Sequence, residues 1–444
     1  MARRPENLIY GVDDKPPVPV LLLLGMQHIF LMSSTLVLPV VLVSEIGGGF
    51  DQVRSVVALT MISCGLGTIF QAMRFGWVGS GYLCPNLCGP NFFAASMSAA
   101  WLGGLPLMRG MTIAAGLVEI VFARALHRIK FLFPPEITGL VVVMVAVGVI
   151  PLGVSKFLGI NYEGEPIQGA SLLVAFLTLL AMVGVNVWGK GRLKLYSVLA
   201  GMVAGYLLAF GAGLLTPADF RGVAAAPWVA LPLYDGMLDV AFNWSLLPVF
   251  VNVSITGALK SFGNLIMCEK VNDAEWKAPD TRRIGNGLMA DAFCVTASGM
   301  LGGVASDTSA SNVAFSSASG ATSRWIGYVA GALFIVLGFF PKVSGILSVM
   351  PMPVMGAILI FVTSFMIVSG IQIILGAGMD NRRTFVIGIS IIFGLSLDLL
   401  PALYSGIPAG IRPLFESSLT LCTVLAVVLN QVLRLGAPRA SALA

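Results

Sequence analysis

The residues able to do chemistry in this chain are scarce, and they lie in apolar surroundings. Lys260 stands in the middle of "TGALKSFGN" (256–264), inside an apolar run that begins near Trp244. A lysine at the centre of a membrane-type helix costs about 2.5–3.5 kcal/mol on insertion scales, so its charge needs a use. The ammonium offers three donors and accepts nothing while protonated. One role that fits is counter-charge to a substrate presenting carbonyl oxygens, a carboxylate or an anionic ring. Another is an internal ion pair with Asp291 or Asp307. The third, snorkelling to the interface, fits least, because Lys260 lies about ten residues, roughly 15 Å of helix, before Lys270.

Asp291, in "LMADAF", is isolated in an apolar stretch and must pair or take up a proton, the chemistry on which proton coupling draws. Asp307 opens the polar stretch "VASDTSASNVAFSSASGATSR". It either compensates Lys260 or caps a short helix with Ser306 and Thr308. His28 lies about ten residues into the first apolar run, where it can relay a proton or stay neutral and hydrogen-bond a facing helix. Phe92 and Phe93 follow Asn91 and offer ring faces to a planar ligand, or simply pack. The six cysteines fall mostly in apolar segments. Cys84 and Cys88 have no histidine or second pair beside them, so they read as small buried residues, with no metal site. No phosphate-binding loop, nucleophile triad or cofactor motif is visible, which leaves ATP-driven pumping and enzyme chemistry without support.

These residues need elements to hold them, and composition says which kind. Of 444 residues, 57% are hydrophobic and only 11% charged, with mean hydropathy +0.92. Soluble domains carry about 25% charged residues. Such a surface must face lipid, which makes the chain an all-α polytopic membrane protein. Its net charge of +5 is no nucleic-acid signal, because the cations sit in short clusters between apolar runs. The polar start "MARRPENLIYGVDDKPP" leads straight into a full-length span, so no cleaved leader is expected.

Apolar runs of about 20 residues mark spans. They fall near 18–43, 53–73, 106–124, 136–153, 169–189, 195–215, 244–267, 284–303, 325–340, 351–375, 384–401 and 414–433. Two irregular segments at membrane depth, 76–103 and 304–324, bring the expected total to fourteen crossings. With the N-terminus inside, 19 Lys and Arg fall at inner ends and 6 at outer ends, the sense the positive-inside rule requires. Both termini are then cytoplasmic.

The chain also repeats itself. "RGMTIAAGLVEIV" (109–121) aligns without gaps with "RWIGYVAGALFIV" (324–336), matching Arg109 with Arg324 and Gly116 with Gly331. Downstream, "PPEITG" (134–139) faces "PMPVMG" (351–356). Seven spans separate the members of each pair, so the halves have opposite topology, an arrangement common in secondary transporters. The irregular segments occupy equivalent places. Each is expected to give a short strand and a half-helix, with Asn91 and Asn312 near the half-helix starts, where backbone N–H groups are unpaired.

"LLGMQHIFLM" (23–32), "LMADAF" (288–293) and "SNVAFSSASGATSR" (311–324) together resemble the signatures of the nucleobase–ascorbate transporter family, the uracil/xanthine permeases. The likeness runs essentially along the whole chain and singles out Gln27, His28 and Asp291. It implies two inverted repeats of seven helices, with short strands in segments 3 and 10. It also implies a cytosolic tail (1–17), a core domain (18–130 and 243–348), a gate domain (131–242 and 349–436) and a C-terminal tail (437–444). The substrate would lie between the paired strands, touching Lys260, Gly263, Asn264, Asn91, Phe92, Phe93, Ser311 and Asn312. Where the family carries a base-reading Glu, this chain has Lys260, and at the signature Gln/Glu position it has Ser311.

The function so implied is a permease in the cell (bacterial inner) membrane. It would move a nucleobase such as xanthine or uracil by alternating access, with a co-transported proton or sodium ion. Asp291, Asp307 and His28 would then serve coupling or an ion pair. The same fold carrying a small organic anion, with Lys260 as counter-charge, is the alternative, and a channel the third. Small-molecule substrate, membrane lipid and a second copy in a homodimer are the implied partners.

Overall fold

The computed structural model describes residues 4–5, 8–129, 134–160, 166–190, 193, 196–277, 279–376, 378–404, 406–407, 415 and 418–434. Helices dominate it, because a backbone in lipid must satisfy its own polar groups. The first repeat runs α1 (Val18–Ser33), α2 (Val37–Glu45), α3 (Phe50–Ala72), β1 (Asn86–Cys88), α4 (Pro90–Ile129), α5 (Pro135–Leu158), α6 (Gly169–Trp188) and α7 (Ser197–Gly211). A short α8 (Arg221–Ala225) lies in the connection to the second. There follow α9 (Leu247–Asn272), α10 (Thr281–Leu301), β2 (Ser306–Thr308), α11 (Ala310–Ser319), α12 (Arg324–Gly338), α13 (Pro341–Ser348), α14 (Met352–Gly376), α15 (Asn381–Leu399) and α16 (Ser418–Arg434). Seven described helices, α1 and α2 counted as one, are long and apolar enough to cross a membrane. The bent pair α12–α13 makes an eighth. The other crossings are shorter, more polar or broken, and complete the two sets of seven.

Breaks occur where the sequence removes backbone partners. Pro39 has no N–H to give the carbonyl of Thr35, and α1 hands over to α2 just before it. Hydroxyls of Ser33 and Ser34 satisfy the carbonyls of Ile29 and Leu31 at 2.8 and 2.7 Å. Helix α4 is really two arms. Gly103 (φ −153°) and Gly104 (φ +66°) interrupt it, and at Gly104 the left-handed backbone favours a residue without a Cβ. The eleventh span, expected over 325–340, is the single helix α12, and beyond it the chain bends by 77° into α13, which Pro341 starts. The eighth span runs on to Asn272, five residues beyond its expected end at 267. Arg3, Lys130, Arg192, Lys194, Arg412, Arg439 and the tail 437–444, all used in the sequence reading, lie outside the described residues.

The repeat is visible in how glycines pack. A Cβ on Gly331 of α12 would come within 2.6 Å of the Gly65 carbonyl of α3, and one on Gly65 within 2.6 Å of the Gly331 carbonyl. Its sequence match, Gly116 of α4, meets Thr296 of α10 just as closely. Likewise Gly139 of α5 abuts Gly370 of α14, while the matched Gly356 of α14 abuts Phe157 of α5. Each matched pair therefore serves two equivalent crossings, as inverted halves require. Helices α1, α3, α4 and α9–α12 pack around the two strands, and α5–α7 and α14–α16 form a second group.

Candidate functional site

The strands β1 and β2 pair antiparallel, with Asn86 opposite Thr308, Leu87 opposite Asp307 and Cys88 opposite Ser306. Three-residue strands cannot satisfy their own ends, and α3 supplies what is missing. Thr68 Oγ1 accepts from Asn86 N, and Thr60 Oγ1 from Val304 N, both at 3.0 Å. Beyond each strand a half-helix begins: the first arm of α4 at Pro90, and α11 at Ala310, capped by Ser309 Oγ accepting from Asn312 N.

On this scaffold the charged residues meet. Lys260, fourteenth of the 26 residues of α9, donates from Nζ to Asp307 Oδ1 at 2.7 Å. Asp307 is fully buried and its other oxygen accepts from Asn91 Nδ2 at 2.9 Å. Of the two aspartates that could pair with Lys260, the tertiary arrangement brings up Asp307. Asp291 lies one step away, with Oδ1 accepting from Asn86 Nδ2 at 2.7 Å and Oδ2 accepting from Ser261 Oγ. Ser261 Oγ also lies 2.7 Å from Thr308 Oγ1, which in turn accepts from Asn264 Nδ2 at 2.9 Å. Asn264 thus braces the strand from α9.

His28 and Asn312 form a second polar contact, 2.7 Å between Nδ1 and Oδ1. Asn312 spends its Nδ2 on Ser309 Oγ at 2.8 Å, so its carbonyl oxygen accepts and His28 Nδ1 carries the proton. His28 is buried and packs edge-on against Phe315 at 5.1 Å. Of its two readings, the hydrogen bond to a facing helix is the one seen. Phe92 and Phe93 are fully buried beneath the strands, with Phe92 against Gly257, so neither ring presents a free face in this conformation. Gly263 of α9 and Ala310, Ser311 and Ala314 of α11 are exposed.

The face of α9 that carries Lys260 divides into two halves. Val249, Val253 and Thr256 are buried, and nearby Asn252 Nδ2 donates to Thr423 Oγ1 of α16 at 3.0 Å. Past Lys260, whose side chain is 25% exposed, Gly263 and Met267 lie open. The surface of α9 is thus covered on the N-terminal side of Lys260 and exposed on its C-terminal side. Asp13 of the N-terminal segment pairs with Arg74 and Arg324.

Sequence reasoning passed over Glu119. It lies on the second arm of α4, fully buried, with neither carboxyl oxygen hydrogen-bonded, and it interacts with Asp291 and Asp307. The signal was present, since a lone carboxylate in an apolar span meets the same test that singled out Asp291. Among the described residues, no group of His, Cys, Asp and Glu could hold a metal ion.

Comparison with known proteins adds three findings. A model described as "Permease family", covering xanthine and uracil permeases, matches residues 20–403. The chain is 28% identical over 434 residues to a putative purine permease of Clostridium perfringens, covering 96% of this chain and 93% of that one. It is 26% identical over 444 residues to the xanthine permease XanP of Escherichia coli, covering 96% and 95%. Among solved structures, the transmembrane domain of a cyanobacterial bicarbonate transporter, BicA, is similar in fold, with a TM-score of 0.58. It matches at 12% identity over 95% of this chain and 99% of that one.

Proposed function

Since the chain belongs to the xanthine/uracil permease family, we propose that it is a secondary transporter of a carbonyl-rich nucleobase, such as xanthine or urate, working by proton-coupled alternating access. The observation that carries this reading is Lys260, partly buried and paired with Asp307 beside the two short strands and half-helices that interrupt spans in equivalent places of the two halves. Interrupted spans so placed in inverted halves mark the site of a secondary transporter.

Lys260 keeps two donors beyond the one given to Asp307, and a purine with several carbonyl oxygens can accept both. Small neighbours at Gly263, Ala310, Ser311 and Ala314 leave room for a flat ring. Because Asp307 already balances the lysine's charge, a net anion gains little there, which weighs against the organic-anion alternative. Residues 18–130 and 243–348 act as the core that carries the site, and 131–242 and 349–436 as the gate, through which two copies pair. Both termini lie in the cytoplasm of a bacterial cell.

The test is uptake into proteoliposomes under a pH gradient, with radiolabelled xanthine, urate, uracil, adenine and fumarate. Xanthine or urate should accumulate, and collapsing the gradient with a protonophore should abolish accumulation. Uptake of fumarate alone would overturn the substrate class, and accumulation that survives the protonophore would overturn proton coupling.

A further inference from the structure

Glu119 is a fully buried carboxyl group whose oxygens are shut off from solvent and receive no hydrogen bond from an amide, hydroxyl or cation, and its carboxyl meets that of Asp291. The titratable groups facing it are Asp291 and Cys294 of α10 and Asp307 of β2. From α9, Lys260 is engaged by Asp307 at 2.7 Å, and the Ser254 hydroxyl donates to the Ala115 carbonyl at 2.7 Å. The two cations of α4 with described side chains are engaged too. Arg109 donates to the carbonyls of Gly299, Asp239 and Met300 at 3.2, 2.8 and 2.8 Å, and Arg124 lies over the Trp77 ring.

Two neighbouring buried carboxyls with no cation between them cannot both be ionised. Asp291 holds the donors, from Asn86 and Ser261, and Glu119 has none. We infer that Glu119 is the proton-carrying group of this transporter, neutral in the conformation described and sharing its proton with Asp291. This rests on the proton-coupled reading above. In the transfer, an O–H bond breaks on Glu119, one forms on Asp291, and the pair keeps a single negative charge throughout. A neutral Asp291 holds the Ser261 hydroxyl less strongly. Ser261 is the neighbour of Lys260, and its other contact, Thr308, is the neighbour of Asp307. The proton's position is thereby felt at the substrate pair.

The test uses infrared spectra of the full-length protein in lipid at neutral pH, together with transport. Wild type should show a protonated-carboxyl C=O band that shifts when glutamate is 13C-labelled and disappears in Glu119→Gln. A band that survives Glu119→Gln overturns the inference, and this readout stands even if no tested nucleobase is carried. In proteoliposomes, Glu119→Gln should retain exchange of labelled for unlabelled substrate and lose gradient-driven accumulation; retained accumulation overturns it. Should Glu119→Gln fail to fold, Glu119→Met supplies the check. Its spectrum should also lack the protonated-carboxyl band, and a band that persists in Glu119→Met overturns the inference.

Discussion

A lysine and an aspartate at membrane depth are each costly alone and tolerable together. Lys260 and Asp307 show the consequence, since Asp307 is fully buried and Lys260 is its only cation among the described residues. Removing one partner of a buried pair costs about 3–5 kcal/mol, because the other charge is stranded. Partial exposure of Lys260 puts this pair toward the lower end. Lys260→Ala should therefore lower the unfolding temperature in detergent, and adding Asp307→Asn should recover most of the loss; no recovery would mean that the pair is not the lysine's main use. Lys260→Gln should abolish binding of a carbonyl-rich purine, which equilibrium binding in detergent would reveal. The need for a partner was legible from the sequence. Its identity was not, because Asp291 and Asp307 are equally plausible until the strand turns one toward α9.

At the scale of elements, the strand pair depends on α3. Thr68→Val would leave the buried amide of Asn86 without its acceptor, at a cost of about 1–3 kcal/mol. A lowered unfolding temperature checks this, with Thr60→Val expected to act alike through Val304. Glycine substitutions separate packing from open space. Gly331→Val places a Cβ 2.6 Å from the Gly65 carbonyl and should destabilise by about 1–3 kcal/mol or more. Gly263→Ala meets nothing within 4 Å and should leave the unfolding temperature unchanged. The repeat that these contacts follow was readable in Arg109/Arg324 and in the matched glycines. The break at Gly103–Gly104 was readable too, as the boundary between segments 76–103 and 106–124; the 77° bend into α13 was not, since no helix was expected over 341–348.

For the whole molecule, the division of the α9 face predicts a pattern of access. In otherwise cysteine-free protein in inside-out vesicles, Gly263→Cys should react with a membrane-impermeant maleimide, while Val253→Cys should not. Reaction at position 253 from the same side would contradict the burial of the α9 face above Lys260. The hydrogen bond from Asn252 to Thr423 joins the two helix groups on the covered side. Thr423→Val should weaken that contact and raise labelling of the face above Lys260 from the opposite side of the membrane.

Class, span count, inversion and the list of costly polar residues all follow from the sequence, because lipid penalises unpaired charge and open backbone wherever in the chain they occur. What had to wait for tertiary structure was the pairing: Lys260 with Asp307 rather than Asp291, Phe92 and Phe93 buried rather than open to a ligand, and the carboxyl of Glu119 against that of Asp291. Hydropathy places a residue at a depth in the membrane. Only the packing of helices far apart in sequence decides which residues at that depth share a hydrogen bond.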